Sequence, residues 1–217
     1  MQLLMCLIIV LISLTFHEVS HGLMADKLGD HTARERGRLS LSPFAHLEPI
    51  GFLCMLLFEF GWAKPVPVDA RNFKHPKRDM ALTALAGPVA NLLLAFAALI
   101  PYEIIITIDR HGGFAEASDF TIDLLIACLT FIRLFHSMNI SLAVFNFIPV
   151  PPLDGSRVLF AVLPEKFYFG VMKYERYISL GIMLLLVTGL LDKPLSFLTN
   201  AISGGMQSLL ELLPFFG

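Results

Sequence analysis

The sequence predicts an all-α polytopic membrane protein, a bundle of about five transmembrane helices (roughly four to six) with a re-entrant or β-hairpin segment against the membrane. Composition is the first reason: 56% of the 217 residues are hydrophobic and only 16% charged, and the mean hydropathy is +0.72, outside the range of an ordinary soluble domain. Periodic length is the second. Apolar stretches near the ~20 residues needed to cross a bilayer fall at about 1–24, 80–108 and 119–148, with a further pair near 171–191 and 195–213.

The elements follow in order. The run from Met1 has no basic leader and no small-residue cleavage pattern, so it reads as a retained first helix, not a signal peptide. Residues 25–79 form a basic loop. Within it "PIGFLCMLLFEFGW" is about a dozen apolar residues bracketed by Pro49, Gly51, Gly61 and Pro65, which suits a re-entrant segment better than a crossing. "GRLSLSP" alternates like a short strand, with "WAKPVPVD" as a proline-broken extended partner. After the second and third long runs, Pro149, Pro151 and Pro152 forbid a continuous helix, so 149–165 is expected to be unwound. Irregular backbone at membrane depth is tolerated where it is buried or lines a wet cavity. The whole chain reads as one membrane-embedded domain.

Charge sets the orientation. Nine Lys and Arg residues, from Lys27 to Arg78, lie between the first two runs, and Arg157, Lys166, Lys173 and Arg176 lie between the third and fourth, whereas the opposite loops hold Arg110 and Lys193. Cytoplasmic loops are the basic ones, so the N-terminus is expected outside a cell membrane and the loop at 25–79 inside. A net charge of -2 offers no basic field for nucleic acid. Cys6, Cys54 and Cys128 are odd in number and lie in apolar runs, which suggests packing residues and neither disulfides nor a thiolate cluster. His31, His46, His75 and His111 fall in polar loops and read as surface residues, while Arg133 and His136 share one face of the third helix and read as a pair, a lining of an aqueous path, or a subunit contact.

The first helix ends in "SLTFHEVSHGLM". His17 and His21 are one helical turn apart and can grip one ion, with Glu18 beside them, which is the H-E-x-x-H pattern of zinc peptidases. Ionisable groups inside a membrane helix cost about 2.5–3.5 kcal/mol each and are functional or paired. A catalytic zinc takes a third protein ligand. Glu35, Glu48 and Glu59 are candidates, of which Glu59 lies in an apolar run; Asp154 in "NFIPVPPLDGSRVL" is the strongest, because the proline-rich chain projects a carboxylate inward, although Asp before Gly is also an ordinary turn.

"FHEVSHG", "ALAGPVANLLLA" and "NISLAVFNFIPVPPLDGSRVL", in this order and spacing, resemble the site-2 protease family of zinc intramembrane proteases. The resemblance runs from about His17 to Lys173. It implies that His17, His21 and Asp154 hold one zinc per chain, that Glu18 is the catalytic base, and that Asn91 and Asn146 either hold substrate or the developing oxyanion or simply hydrogen-bond between helices. It further implies cleavage of a transmembrane segment of a protein substrate, in regulated intramembrane proteolysis, with a membrane-associated hairpin guiding the unwound substrate by strand addition. PDZ and CBS domains found in many members are absent from this sequence, which resembles the compact, core-only subgroup. Oligomers are compatible with this reading. The alternative is a metal transporter or sensor that uses His17, His21 and Asp154 as a transit site; it has no need of a base at Glu18.

Overall fold

A computed structural model describes residues 2–51, 63–164, 170 and 173–212. Among these residues the chain is helical, without strands. Three helices are long and apolar enough to cross a bilayer: α1 (Gln2–Lys27), α4 (Pro76–Arg110) and α5 (Asp119–Phe147). They correspond to the three long runs of the sequence, with α4 longer at both ends than the apolar run that marks it. Between α1 and α4 lie the single turns α2 (Thr32–Glu35) and α3 (Pro43–His46) and a 3₁₀ turn at Ala70–Asn72. After α5 come α6 (Asp154–Val162), α7 (Glu175–Val187) and α8 (Asp192–Glu211).

The later helices depart from the pair expected near 171–191 and 195–213. Helix α7 has 13 residues, about 20 Å of rise, less than a ~30 Å hydrocarbon layer. Helix α8 is amphipathic: Leu195, Ile202 and Met206 lie on a 3.6-residue stripe and pack on the buried cluster of Ala95, Ile140 and Val144. A length of 20 residues therefore does not make it a crossing of the same kind as α1, α4 or α5.

The strand expectation also changes. Residues 38–42 and 64–69 form no ladder; a single antiparallel bridge joins Leu47 to Ala63, with Lys64 N–H donating to the His46 carbonyl at 2.8 Å. Pro65 and Pro67 explain this, because each lacks the donor that a ladder requires. The core of the proposed re-entrant segment, with Cys54 and Glu59, lies outside the described residues. The unwound stretch is shorter than 149–165. Residues 148–153 are non-helical and α6 starts at Asp154, two residues after the last of the three prolines.

Helix α4 is the hub, packing against α5, α1 and α6, while α8 lies on α5. Its interior Pro88 lacks the amide that would bond to Ala84. Two polar expectations are corrected here. His46 is buried, because its Nε2–H donates to the Ser40 carbonyl at 2.8 Å and folds the 40–46 loop back on itself. Arg133 is exposed and does not pair with His136, which is buried between α4 and α8. Cys128, expected to be packed inside, is exposed on the apolar surface of α5, and Cys6 is half-buried.

Candidate metal centre

His17 and His21 project from one face of α1 onto α4, and the sequence there makes room for them. A Cβ placed on Gly87 would lie 2.5 Å from His21 Nε2 and 2.6 Å from His17 Cε1, so any residue with a side chain would collide with both imidazoles. The rings then meet edge to face, their centroids 4.6 Å apart.

Each ring is oriented by its Nδ1. His21 Nδ1–H donates to the Thr83 carbonyl at 2.7 Å, and His17 Nδ1–H donates to Asn91 Oδ1 at 2.6 Å. Asn91 is fully buried; its amide nitrogen donates to Asn139 Oδ1 at 2.8 Å and to the Ser13 carbonyl at 3.3 Å. Asn139 in turn donates to the Phe135 carbonyl at 2.8 Å. One amide chain thus links α1, α4 and α5 and ends on the His17 ring. Such partners fix the tautomer and raise the basicity of the opposite nitrogen.

With Nδ1 carrying the proton, both Nε2 lone pairs point into one space. The two Nε2 atoms are 3.0 Å apart, and Asp154 Oδ2 stands 3.1 Å from His17 Nε2 and 3.2 Å from His21 Nε2. These three donors form a group able to hold a metal ion. The separations come close to the ~3.3 Å edge of a tetrahedron with ~2.0–2.1 Å bonds. Three electron-rich atoms packed this tightly, away from bulk water, call for a shared cation.

Asp154 arrives from 137 residues further along the chain. Its position is set by Gly155, where a Cβ would overlap the carbonyl oxygens of Phe147 and Ile148; without that atom, α6 can start hard against the end of α5. Ser156 Oγ donates to the Leu153 carbonyl at 2.6 Å and pins the first turn.

Glu18 faces a different neighbour. Its Oε2 accepts the backbone N–H of Val66 at 2.8 Å. Val66 is buried between Pro65 and Pro67, so it is the one residue of Pro-Val-Pro with an amide to offer. The strap is moored further on by Asp30, which accepts from the Asp69 amide at 2.7 Å, from Asn72 Nδ2 at 2.8 Å and from Thr32. Burial alone would raise the Asp30 pKa, but the hydrogen bonds from Thr32, Asn72 and Asp69 outweigh it and hold the carboxyl below its ordinary value.

The other candidates stand apart. Asn146 donates to the Leu142 carbonyl of its own helix at 3.0 Å and touches none of the three ligands. Glu35 is exposed, and Glu48 accepts from the Gly51 amide at 2.6 Å. Sequence reasoning missed Asn139, which opens the quoted stretch "NISLAVFNFIPVPPLDGSRVL" but was given no role there, and Val66, whose contribution is a backbone atom; the proline on each side of Val66 is the signal that was there to be read.

The family model for peptidase family M50 matches residues 5–189. The chain is 36% identical over 209 residues to the Bacillus subtilis protein named "Putative zinc metalloprotease YwhC", covering 94% of this chain and 89% of that one. It is 26% identical over 187 residues to Mycolicibacterium smegmatis "Putative zinc metalloprotease Rip2", covering 84% and 66%. It is 29% identical over 149 residues to Methanocaldococcus jannaschii "Putative zinc metalloprotease MJ0611", covering 66% and 63%. No solved structure matches the chain.

Proposed function

The chain belongs to peptidase family M50, and from that premise we propose that it is a zinc-dependent endopeptidase that cuts a transmembrane segment of a membrane protein. The observation that carries the proposal is the convergence of His17 Nε2, His21 Nε2 and Asp154 Oδ2 within 3.2 Å of one another, beside Glu18, with both histidines on a helix of membrane length and Asp154 at the start of the short helix α6.

His17, His21 and Asp154 would hold the zinc, one per chain, and two imidazoles with one carboxylate are a donor set that suits it. When bound, zinc supplies Lewis-acid chemistry that activates water and polarises a carbonyl. Glu18 accepts the proton of the attacking water and delivers it to the departing amine nitrogen. The Val66 amide holds one carboxylate oxygen of Glu18, which leaves Oε1 for this task. Asn91 is assigned to orienting His17, since both ends of its amide are spent between helices; Asn146 keeps its carbonyl for substrate.

The scissile amide of a helical segment is hydrogen-bonded within the helix, so the substrate must unwind before attack. Residues 63–69 are non-helical chain that reaches Glu18 through Val66, residues 38–42 are non-helical and tied to them by the Arg38 guanidinium on the Lys64 carbonyl, and the Leu47–Ala63 bridge brackets the apolar segment between them. This supports a re-entrant, hairpin-like guide that receives the unwound strand. The basic loop at 25–79 favours a cytoplasmic active side and an N-terminus outside, and the family resemblance favours a role in regulated proteolysis at the cell membrane.

The test pairs metal content with cleavage of a model transmembrane peptide. Near-stoichiometric zinc in the wild type, its loss in His21→Ala and Asp154→Ala, and zinc without cleavage in Glu18→Gln are the expected results. Zinc binding together with a complete lack of hydrolysis by the wild type would sink the proposal.

A further inference from the structure

A cleft of about 550 Å³ opens beside the metal centre, between the strap, the first turns of α4 and helix α6. Among the described residues of its lining, Val68, Met80 and Phe160 contribute apolar surface, while Lys77, Arg157 and Glu175 bring charge, for a net of one positive. Arg157 is exposed, and among the described residues its guanidinium donates to the thioether sulfur of Met80 at 3.4 Å, a weak acceptor. None of these residues is used by the proposed chemistry.

Three segments lead from the metal centre into this cleft, and their lengths agree. Met80 lies two turns before Gly87 on α4, about 10 Å along the helix axis. On the strap, Val68 lies at most about 7 Å beyond Val66, and Ala70, also in the lining, at most about 14 Å. Ser156 and Arg157 directly follow the ligand Asp154 and share the same wall. A peptide leaving the metal centre in extended form rises about 3.3 Å per residue, so it enters the cleft after about three residues.

We propose that this cleft is a substrate subsite that receives the residues about three positions from the cleaved bond, on the side leading to the basic loop, and selects an acidic side chain there through Arg157 and Lys77. The proposal rests on the endopeptidase reading. It gives the enzyme a filter with a physical basis. Transmembrane segments ordinarily carry Lys and Arg on their cytoplasmic flank, and a positively rimmed cleft disfavours that majority while accepting the exceptions. Met80 and Phe160 give the cleft an apolar floor beneath the exposed guanidinium, whose charge-assisted hydrogen bonds to a carboxylate carry geometric specificity.

The experiment uses the full chain in nanodiscs and a model transmembrane peptide with a neutral flank, whose cut site is first located by mass spectrometry. Asp, Ser or Lys is then placed two to four residues from the cut, toward the basic-loop side. The expected order of kcat/KM is Asp above Ser above Lys, with a span of roughly tenfold between the extremes. Arg157→Glu should invert the order, and Arg157→Gln should flatten it, with zinc content checking that each variant folds. Equal rates on the three peptides, or an Arg157→Glu variant that slows all three alike, overturn the subsite while leaving the protease reading intact. A dependence on anionic lipid content in place of flank charge would likewise overturn it and assign the cleft to lipid headgroups. Failure to cut any peptide overturns the endopeptidase reading and the subsite with it.

Discussion

His17 and His136 are both buried imidazoles on membrane-length helices, yet they are finished differently. His136 Nδ1–H donates to the Ala95 carbonyl at 2.9 Å, and its Nε2 accepts from the Ser203 hydroxyl at 2.8 Å, so each nitrogen has a complementary partner and the ring ties α4, α5 and α8 together. His17 and His21 have their Nδ1–H groups satisfied in the same manner, but each Nε2 faces other acceptors at 3.0–3.2 Å. The difference separates a histidine finished within the protein from a pair with donors free to hold an ion. Burial and a place on a helix of membrane length are common to both; the surplus of lone pairs in one shared space is not.

The comparison can be tested, beginning with its largest expected effect. His17→Ala should reduce bound zinc to background and abolish cleavage, whereas His136→Ala should retain stoichiometric zinc, as read by atomic emission on purified protein. Equal zinc loss in both would erase the distinction. Glu18→Gln should lower kcat by roughly 10²–10⁴-fold at unchanged zinc occupancy, the size of a general-base contribution.

Next come the groups that aim the rings. Gly87→Ala and Asn91→Ala should each weaken zinc binding by about 10–100-fold, measured by chelator competition, the usual cost of losing the support of a ligand. Asn91→Asp keeps an acceptor for His17 Nδ1–H and should recover part of that loss; Asn139→Ala, one step further from the ring, should cost less than Asn91→Ala. A Gly87→Ala protein with wild-type zinc affinity would show that the imidazoles have room to spare. Ser203→Ala, on the structural side, should cost about 1–3 kcal/mol of stability by stranding the His136 Nε2 acceptor, visible as a lower Tm with zinc binding intact.

The smallest effect concerns the mooring of the strap. The Asp30 carboxyl is held below its ordinary value. Its stabilising contribution is therefore complete above the unfolded-state pKa near 4 and disappears as pH falls through the lower, folded-state value. Thermal unfolding followed from pH 6 to pH 3 should decline less steeply in Asp30→Asn than in the wild type. Parallel curves would mean that this carboxylate is not linked to folding.

Much of the site was legible because its chemistry is local. His17, Glu18 and His21 occupy one turn, and two imidazoles four residues apart must share a helix face whatever the rest of the fold does. The three long helices were legible for a similar reason, since a bilayer imposes a length and a composition on each of them. The strand expectation for "GRLSLSP" misled because alternation alone cannot supply a partner, and Pro65 and Pro67 deny the opposite segment its donors. The surface reading of His46 failed because a polar neighbourhood does not tell that a ring nitrogen will meet the Ser40 carbonyl.

By itself, then, the sequence determined the apolar, membrane-type composition, the three helices of bilayer length, the pair of imidazoles and the presence of a carboxylate at Asp154 just after a proline-rich stretch. The sequence already ranked Asp154 above Glu35, Glu48 and Glu59; tertiary structure brought it to those imidazoles, and it alone decided that Asn91 and Asn139 aim one of them and that Val66 holds Glu18. The physical reason is range. Helix faces and membrane length follow from spacings of a few residues, whereas a third ligand 137 residues away is brought in by close approaches at Gly87 and Gly155, which are properties of two surfaces meeting and of neither segment alone.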